Sequence, residues 1–398
     1  MSVQENPLDI SEDKALLWLM AIACGICAGA NYYSQPLIHS IQLYFQEPES
    51  RVALTVTFAQ VSYALGLLFI VPMGDILNKT KLIPWLMFIA AIGLFICAFS
   101  TQLPMLWVGT VIAGLFSVAA QILIPFATMA VKPHKTGEVV GLLMSGLLVG
   151  ILLSTSLAGL LSNLFHWKLI YIISGILMLM VAVVLNARLP YLPSARMSYF
   201  STFKSMWRLL QVERRLVYRA CIGACAFATM SILFSTIAIL LTTSFQLSDV
   251  MVGLVTLVGI FGALSTKKVG AIADRGYTKI ITWVGIAILA TSWLFLYMGQ
   301  HYLISYIIGF GLTNLGLAAV HTSNQNIVFK LRPDAKSRIN SIYMTSYFIG
   351  GACGSALGIY AWHHGGWAMA CLVGIGLVVM TAFFALLDQH HQNKQATL

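Results

Sequence analysis

The chain has 398 residues, 59% hydrophobic and 9% charged, so side chains able to do chemistry are few enough to name. His321 stands inside a long apolar run together with Asn314, Asn324 and Gln325. An imidazole, with a reference pKa of about 6.5, can take up and release a proton close to neutral pH. Amides beside it can hold a neutral or anionic solute through hydrogen bonds. Asn31, Tyr32 and Gln35 in the first apolar run, and Ser117 and Gln121 in the fourth, offer the same chemistry. Polar groups are expensive inside hydrocarbon and default to function there. The plainer alternative for each Asn or Gln is an interhelical hydrogen bond worth about 1 kcal/mol.

Charge is concentrated elsewhere. Gly270 to Lys279 gathers Asp274, Arg275 and Lys279 between two apolar runs, and a degraded copy occurs at Val71 to Lys81, with Asp75, Lys79 and Lys81. A carboxylate among cations at a helix end belongs at the membrane edge. Two copies, one per half, mark a duplicated chain. At an offset of 200, Gln121 matches His321, Lys132-Pro133 matches Arg332-Pro333, Glu138 matches Arg338, Gly150 matches Gly350, and Trp167 matches Trp367.

The elements that must carry these residues follow from the apolar runs. Each is about 20 residues or longer, enough to cross a bilayer core as a helix. Twelve spans are expected near 15–42, 51–73, 82–100, 104–130, 138–163, 167–188, 217–243, 250–269, 280–298, 302–329, 339–362 and 366–387. With the N-terminus inside, all but Arg51 and Lys168 of the 23 Lys and Arg fall on the inner side. The positive-inside rule then places both termini in the cytoplasm. It also reads the net charge of +10 as topology, not as a nucleic-acid footprint. The expected organisation is a cytoplasmic tail 1–14, a six-helix bundle 15–188, a linker 189–216, a second bundle 217–387 and a tail 388–398. The acidic N-terminus lacks the pattern of a cleaved signal peptide. In the linker, Phe200, Phe203, Trp207 and Leu210 alternate with Lys204 and Arg208 at helical spacing, as in a helix lying on the membrane surface.

The twelve runs, the duplication and the two charged loops resemble the major facilitator superfamily, and within it the bacterial twelve-span drug:proton antiporters. Gly270, Asp274 and Arg275 follow the family's loop motif, with Ile272 in place of Leu. The first copy keeps Asp75 but has Val71 for the leading Gly and Ile76 for the Arg. Gly141, Gly146, Gly150 and Gly159 fit the Gly-rich fifth span of the antiporters without its Gly-Pro pair. The resemblance implies an all-α membrane protein of two pseudo-symmetric six-helix bundles with a cavity lined by spans 1, 4, 7 and 10. That would gather Asn31, Tyr32, Gln35, Gln121, Asn314, His321 and Gln325 at a substrate site, with His321 as proton carrier. It also implies two inner latches, Asp75 with Arg338, and Glu138 with Arg275 or Lys268 near Asp274. Exchanging the charges of Asp75 and Arg338 is then expected to restore a direct pair.

All thirteen acids can be placed outside the middle of the spans. A neutral or anionic amphipath therefore suits the cavity better than an obligate cation. The expected function is proton-coupled efflux of small amphipathic compounds across the bacterial inner membrane by alternating access. The alternatives are a proton-coupled importer, an exporter of sugars, siderophores or other metabolites, and a transport-inactive sensor. An enzyme is excluded by the lack of Gly-x-Ser-x-Gly, His-Glu-x-x-His or phosphate-loop motifs. The expected partners are a small-molecule substrate, protons and lipid, with the protein a monomer. No cofactor or metal is expected; Cys24-x-x-Cys27 reads as small packing residues. Trp18, Trp85, Trp107, Trp167 and Trp367 lie near span ends and read as interfacial anchors. Pro36, Pro72 and Pro125 are expected to bend their spans, and the second half, poor in proline, to be straighter.

Overall fold

In hydrocarbon every backbone N–H and C=O must be paired within its own segment, so long apolar runs are driven into helices. The computed structural model describes residues 9–192, 198–247 and 249–396, and all of its regular elements are helical. Pro193 and Arg196 of the linker, most of the N-terminal tail and the last two residues lie outside the described set.

Nine helices among the described residues are long and apolar enough to cross a membrane, and Lys14–Gly29 is a shorter apolar one. Two of the nine, Leu254–Met298 with 45 residues and Pro333–Lys394 with 62, are each too long for one crossing. At 1.5 Å per residue the shorter would extend about 67 Å, over twice a ~30 Å core. Both break where the sequence expects a link. Gly276 takes φ +93° inside Ala273–Tyr277, and Gly366 takes φ +62° beside Gly365. Left-handed backbone is open to glycine without a Cβ penalty. Each long run thus holds two spans, which with Lys14–Gly29 makes twelve among the described residues.

Several spans are interrupted. The first, expected as 15–42, is the helix Lys14–Gly29, a tight turn Gln35–Leu37 at Pro36, and a second helix Ile38–Phe45. The fourth divides into Leu103–Phe116 and Ala119–Ala130 at Ser117 and Val118. Its repeat mate, the tenth, is an unbroken helix Leu303–Leu331 of 29 residues. The second half is not uniformly straighter, because the eighth span breaks at Leu257–Gly259 without any proline. The linker helix forms as Tyr199–Val212. Thr202, Met206 and Leu209 are buried, while Phe200 and Trp207 are exposed beside Lys204 and Arg208.

The chain forms two compact units. The first is Met1–Thr202 with Pro333–Ser341; the second is Phe203–Arg332 with Ile342–Leu398. The duplication is visible inside each. In the first unit, a methyl group on Gly25 would lie 2.7 Å from the Gly146 carbonyl oxygen, and one on Gly150 would collide with Gly25 itself. In the second, methyl groups on Gly350 and Gly354 would collide with the main chain at Ala224 and Ala228. The first and fifth spans, and the seventh and eleventh, meet along small residues that let backbones touch.

Two tryptophans depart from the interfacial expectation. Trp167 and Trp367 are 3% and 2% exposed. Trp167 packs edge-on against Tyr44 and Phe45, and Trp367 donates to the Leu296 carbonyl at 2.8 Å beside Tyr306. They lock helix ends together, whereas Trp18 and Trp85 are well exposed as anchors should be.

Candidate transport sites

The first unit contains the better-defined charged site. The chain after the second span tightens into the turn Val71–Asp75, and Asn78 caps the next helix, Lys79–Ala98, by accepting from Thr80 N–H. This leaves Asp75 buried, 5% exposed, against the start of the helix that begins at Lys336. Its carboxylate accepts from the backbone N–H of Ser337 at 3.0 Å and of Arg338 at 3.1 Å, and from Arg338 Nε at 3.0 Å. Lys79 Nζ lies 3.9 Å away. Asp75 therefore does more than form an ion pair. It caps a helix N-terminus supplied by a distant segment, using the donors and the positive dipole end there. Pro333–Ser341, which carries these donors, belongs to the first unit.

Gln121 sits one layer deeper, 1% exposed. Its amide donates to Tyr63 Oη at 3.2 Å, and its backbone and side-chain oxygens accept from Asn340 Nδ2 at 2.7 and 3.2 Å. Ser341 Oγ donates to the Leu67 carbonyl at 2.6 Å. Asn31 donates to Ser117 Oγ at 2.8 Å, at the break in the fourth span. Tyr32 is half-buried, and Gln35, in the turn that ends the first helix, is exposed. Glu138 occupies the first turn of Thr136–Leu164.

The second unit holds the imidazole. His321 is 5% exposed in the middle of Leu303–Leu331. Its Nδ1 lies 3.0 Å from Tyr343 Oη, and its ring lies 4.6 Å from that of Tyr347, which stacks on Phe227 at 4.1 Å. Asn324, one turn on, bonds Tyr343 Oη at 3.4 Å. Gln325 is fully buried; among the described residues its amide nitrogen has Met344 Sδ, at 3.8 Å, and its amide oxygen has no partner. Asn314 is half-buried, returns its amide to the Phe310 carbonyl at 2.9 Å, and packs on Gly259 and Gly262. The second charged loop is organised around Asp274. It accepts from Asn326 Nδ2 at 2.9 Å, with Lys330 Nζ at 4.0 Å, while Arg275, Lys267 and Lys268 are exposed.

One charged cluster escapes the sequence reading. Arg219, counted there among the edge cations, lies in the second turn of Arg214–Phe245 and is 4% exposed. Asp388, assigned to the C-terminal tail, lies in a helix that runs on to Ala396 and is fully buried. Arg219 Nη2 and Nε hold Asp388 Oδ2 at 2.5 and 3.0 Å, and Arg215 Nε stands 3.3 Å from Oδ1. One signal was present in the repeat. Arg188, exactly 200 positions before Asp388, pairs with Asp13 at 3.3 Å, so each half ties its sixth span to its first with the charges reversed. Asn340, beside Ser341 and two residues from Arg338, and Tyr63, beside Ser62, were also missed, because nothing in their local pattern sets them apart from their polar neighbours.

Among the described residues, twelve apolar helical spans with an internal repeat and buried polar centres define a multi-pass membrane protein. The sequence matches the family model of the Major Facilitator Superfamily over residues 20–314 and again over 219–397, and the chain belongs to that superfamily. It is accordingly a secondary transporter and not an enzyme. It is 41% identical over 368 residues to the putative uncharacterized transporter YgaY of Escherichia coli K12, covering 92% of this chain and 93% of that protein. It is 22% identical to the inner membrane transport protein YnfM of the same strain, covering 87% and 84%. Among solved structures it resembles the human organic anion transporter MFSD10, with TM-score 0.76 and 13% identity over 96% of this chain and 100% of the other. At that identity the likeness speaks to the fold alone.

Proposed function

We propose that this transporter exports small amphipathic organic compounds in exchange for protons, by alternating access in the bacterial inner membrane, with both termini cytoplasmic. The observation that carries the reading is His321, a buried imidazole at the centre of an unbroken span, bonded to Tyr343 and walled by the Tyr347–Phe227 stack. An imidazole is the one side chain whose ordinary pKa lets it load and unload a proton near neutrality. The Asn, Gln, Tyr and His side chains of the proposed site include no carboxylate, and so suit a neutral or anionic amphipath better than an obligate cation. Asn31, Tyr32, Gln35, Gln121, Asn314 and Gln325 complete the proposed substrate-binding set. In the same reading, bundles 15–188 and 217–387 move about the linker 189–216. Asp75 with Arg338, and Glu138 with Arg275 beside Asp274, close the cytoplasmic side.

The test is fluorescent-dye accumulation in cells and in inverted membrane vesicles under an imposed pH gradient. Export lowers cellular dye and drives it into acidified inverted vesicles, and His321→Gln abolishes the gradient dependence. Cellular dye that rises on expression would mean import. Gradient dependence that survives His321→Gln would remove His321 from proton coupling.

A further inference from the structure

The proton chemistry of an imidazole depends on which ring nitrogen carries hydrogen, and the second unit holds a chain of groups that decides this. It begins at Arg219, whose guanidinium can only donate. Two of its nitrogens are taken by Asp388. Nη1 reaches Thr282 Oγ1 at 3.1 Å and Asn324 at 3.2 Å. The Asn324 atom facing a pure donor must be the amide oxygen. The other end of that amide faces the carbonyl of Arg219 at 3.3 Å, a pure acceptor, so it must be the NH2. Two independent contacts therefore fix the orientation. The second amide hydrogen points to Tyr343 Oη at 3.4 Å. With its oxygen accepting there, the phenol donates its own hydrogen to its other partner, His321 Nδ1 at 3.0 Å.

We infer that the Arg219–Asp388 pair is a positioning device which, through Asn324 and Tyr343, holds His321 as the neutral imidazole with its hydrogen on Nε2. The inference deepens the reading of His321 as the proton carrier and rests on it for its place in transport. Proton uptake in this state is the bonding of an aqueous proton to the Nδ1 lone pair, giving the imidazolium. For that bond to form, the Tyr343 hydroxyl must turn from donor to acceptor, against the register set by Asn324. Loading of His321 is thus tied to the arrangement of the seventh, tenth, eleventh and twelfth spans.

The groups facing this chain come from every element packed on Leu303–Leu331. Arg214–Phe245 supplies Arg215 and Arg219, and the last helical run supplies Tyr343, Tyr347 and Asp388. Thr278–Met298 supplies Thr282, bonded to Ser323 at 2.9 Å, and Ala273–Tyr277 supplies Asp274, which accepts from Asn326 at 2.9 Å with Lys330 Nζ at 4.0 Å, beside the exposed Arg275. Ile260–Ile272 carries Lys267 and Lys268, both exposed.

The experiment is solid-state NMR of the full chain, labelled with nitrogen-15 histidine and reconstituted in lipid, titrated through neutral pH. The His321 signals are assigned by their loss in His321→Gln. Above neutrality the wild type is expected to show Nδ1 bare and Nε2 protonated. Tyr343→Phe removes the hydrogen bond that favours the neutral form. It is expected to let the Nδ1–H form appear and to raise the titration midpoint by about 0.5–1 pH unit, about three- to tenfold in proton affinity. Asn324→Leu should act in the same direction, and the double variant should add little, because both break one chain. A wild-type His321 carrying hydrogen on Nδ1, or a Tyr343→Phe protein with tautomer and midpoint unchanged, overturns the inference. The readout needs no substrate, so it stands apart from the dye assay. A chain that moves no protons but keeps the Nε2–H signature fails the functional reading and not the positioning one.

Discussion

Removing the Asp75 carboxylate should unpin the first turn of the eleventh span and little else. In the wild type the carboxylate receives three hydrogen bonds, from two backbone amides and one guanidinium nitrogen, at 3.0 to 3.1 Å. All of these groups are buried. Hydrogen bonds to a charged group contribute about 1.5–3 kcal/mol each, but the three share one acceptor and do not add. Deleting one partner of a buried ion pair costs about 3–5 kcal/mol, since the other is left uncompensated. Asp75→Ala should therefore lower the opening free energy at Ser337 and Arg338 by about 4 kcal/mol, close to a thousandfold in amide exchange. Asp75→Asn keeps one oxygen for one backbone N–H but turns an NH2 toward Arg338, and should lose about half as much. Hydrogen exchange read by mass spectrometry on protein in lipid nanodiscs measures this directly, with Thr278–Met298 in the other unit as the internal reference. Exchange at 336–341 that stays at wild-type levels in Asp75→Ala would refute the capping role. So would an equal loss at Thr278–Met298, which would signify general unfolding. The geometry also revises the charge exchange expected from sequence. Asp75→Arg with Arg338→Asp restores a Coulomb pair but sets a cation against a helix N-terminus and supplies no acceptor for two amides. Only partial recovery is expected.

Further outcomes are expected at the glycine seam and the N-terminal strap. Gly150→Ala forces the first and fifth spans apart and should lower thermal stability by an amount in the overpacking range, about 1–3 kcal/mol. Gly159→Ala, whose added methyl meets only Pro36 at 3.8 Å, should leave the melting temperature unchanged in the same thermal-shift assay. Residues 9–13 strap the first unit. Ile10 N–H donates to the Ala130 carbonyl, and Asp9 meets Lys132 at 3.2 Å. Hydrogen bonds from the Ser11 side chain and backbone, helped by Lys132, lower the Asp9 carboxyl from its ordinary 3.8 to about 2. Its contribution is thus fully present above the ordinary value and lost as pH falls through about 2. Acid pulse exchange should show residues 9–13 opening across that window, and Ser11→Ala should move the opening to higher pH.

Much of this molecule is legible in its sequence because the bilayer imposes a coarse rule. Span length and the confinement of Lys and Arg to one side of the count give the helices, and the 200-residue offset gives the duplication. Asp75 was legible because a carboxylate in a tight turn between spans has few ways to be satisfied. The partner Arg338 was legible only with the family resemblance beside it, since 263 positions separate the two.

What sequence could not give was the use made of each polar group once helices met. Window hydropathy treats a charge near a span end as an edge residue, so Arg219 reads as an edge cation and Asp388 as part of the tail. Only a folded unit brings together residues 169 apart, and only there do both leave water. Trp167 and Trp367 show the same limit: an indole near a span end can face lipid or another helix, and its own spacing is equal in both cases. The direction of the bond between Tyr343 and His321 is set two residues further on, by an arginine that can only donate. The chain by itself determined where its helices run, because each must satisfy its own backbone. Tertiary structure decided which polar side chains answer one another, because that depends on contacts between helices.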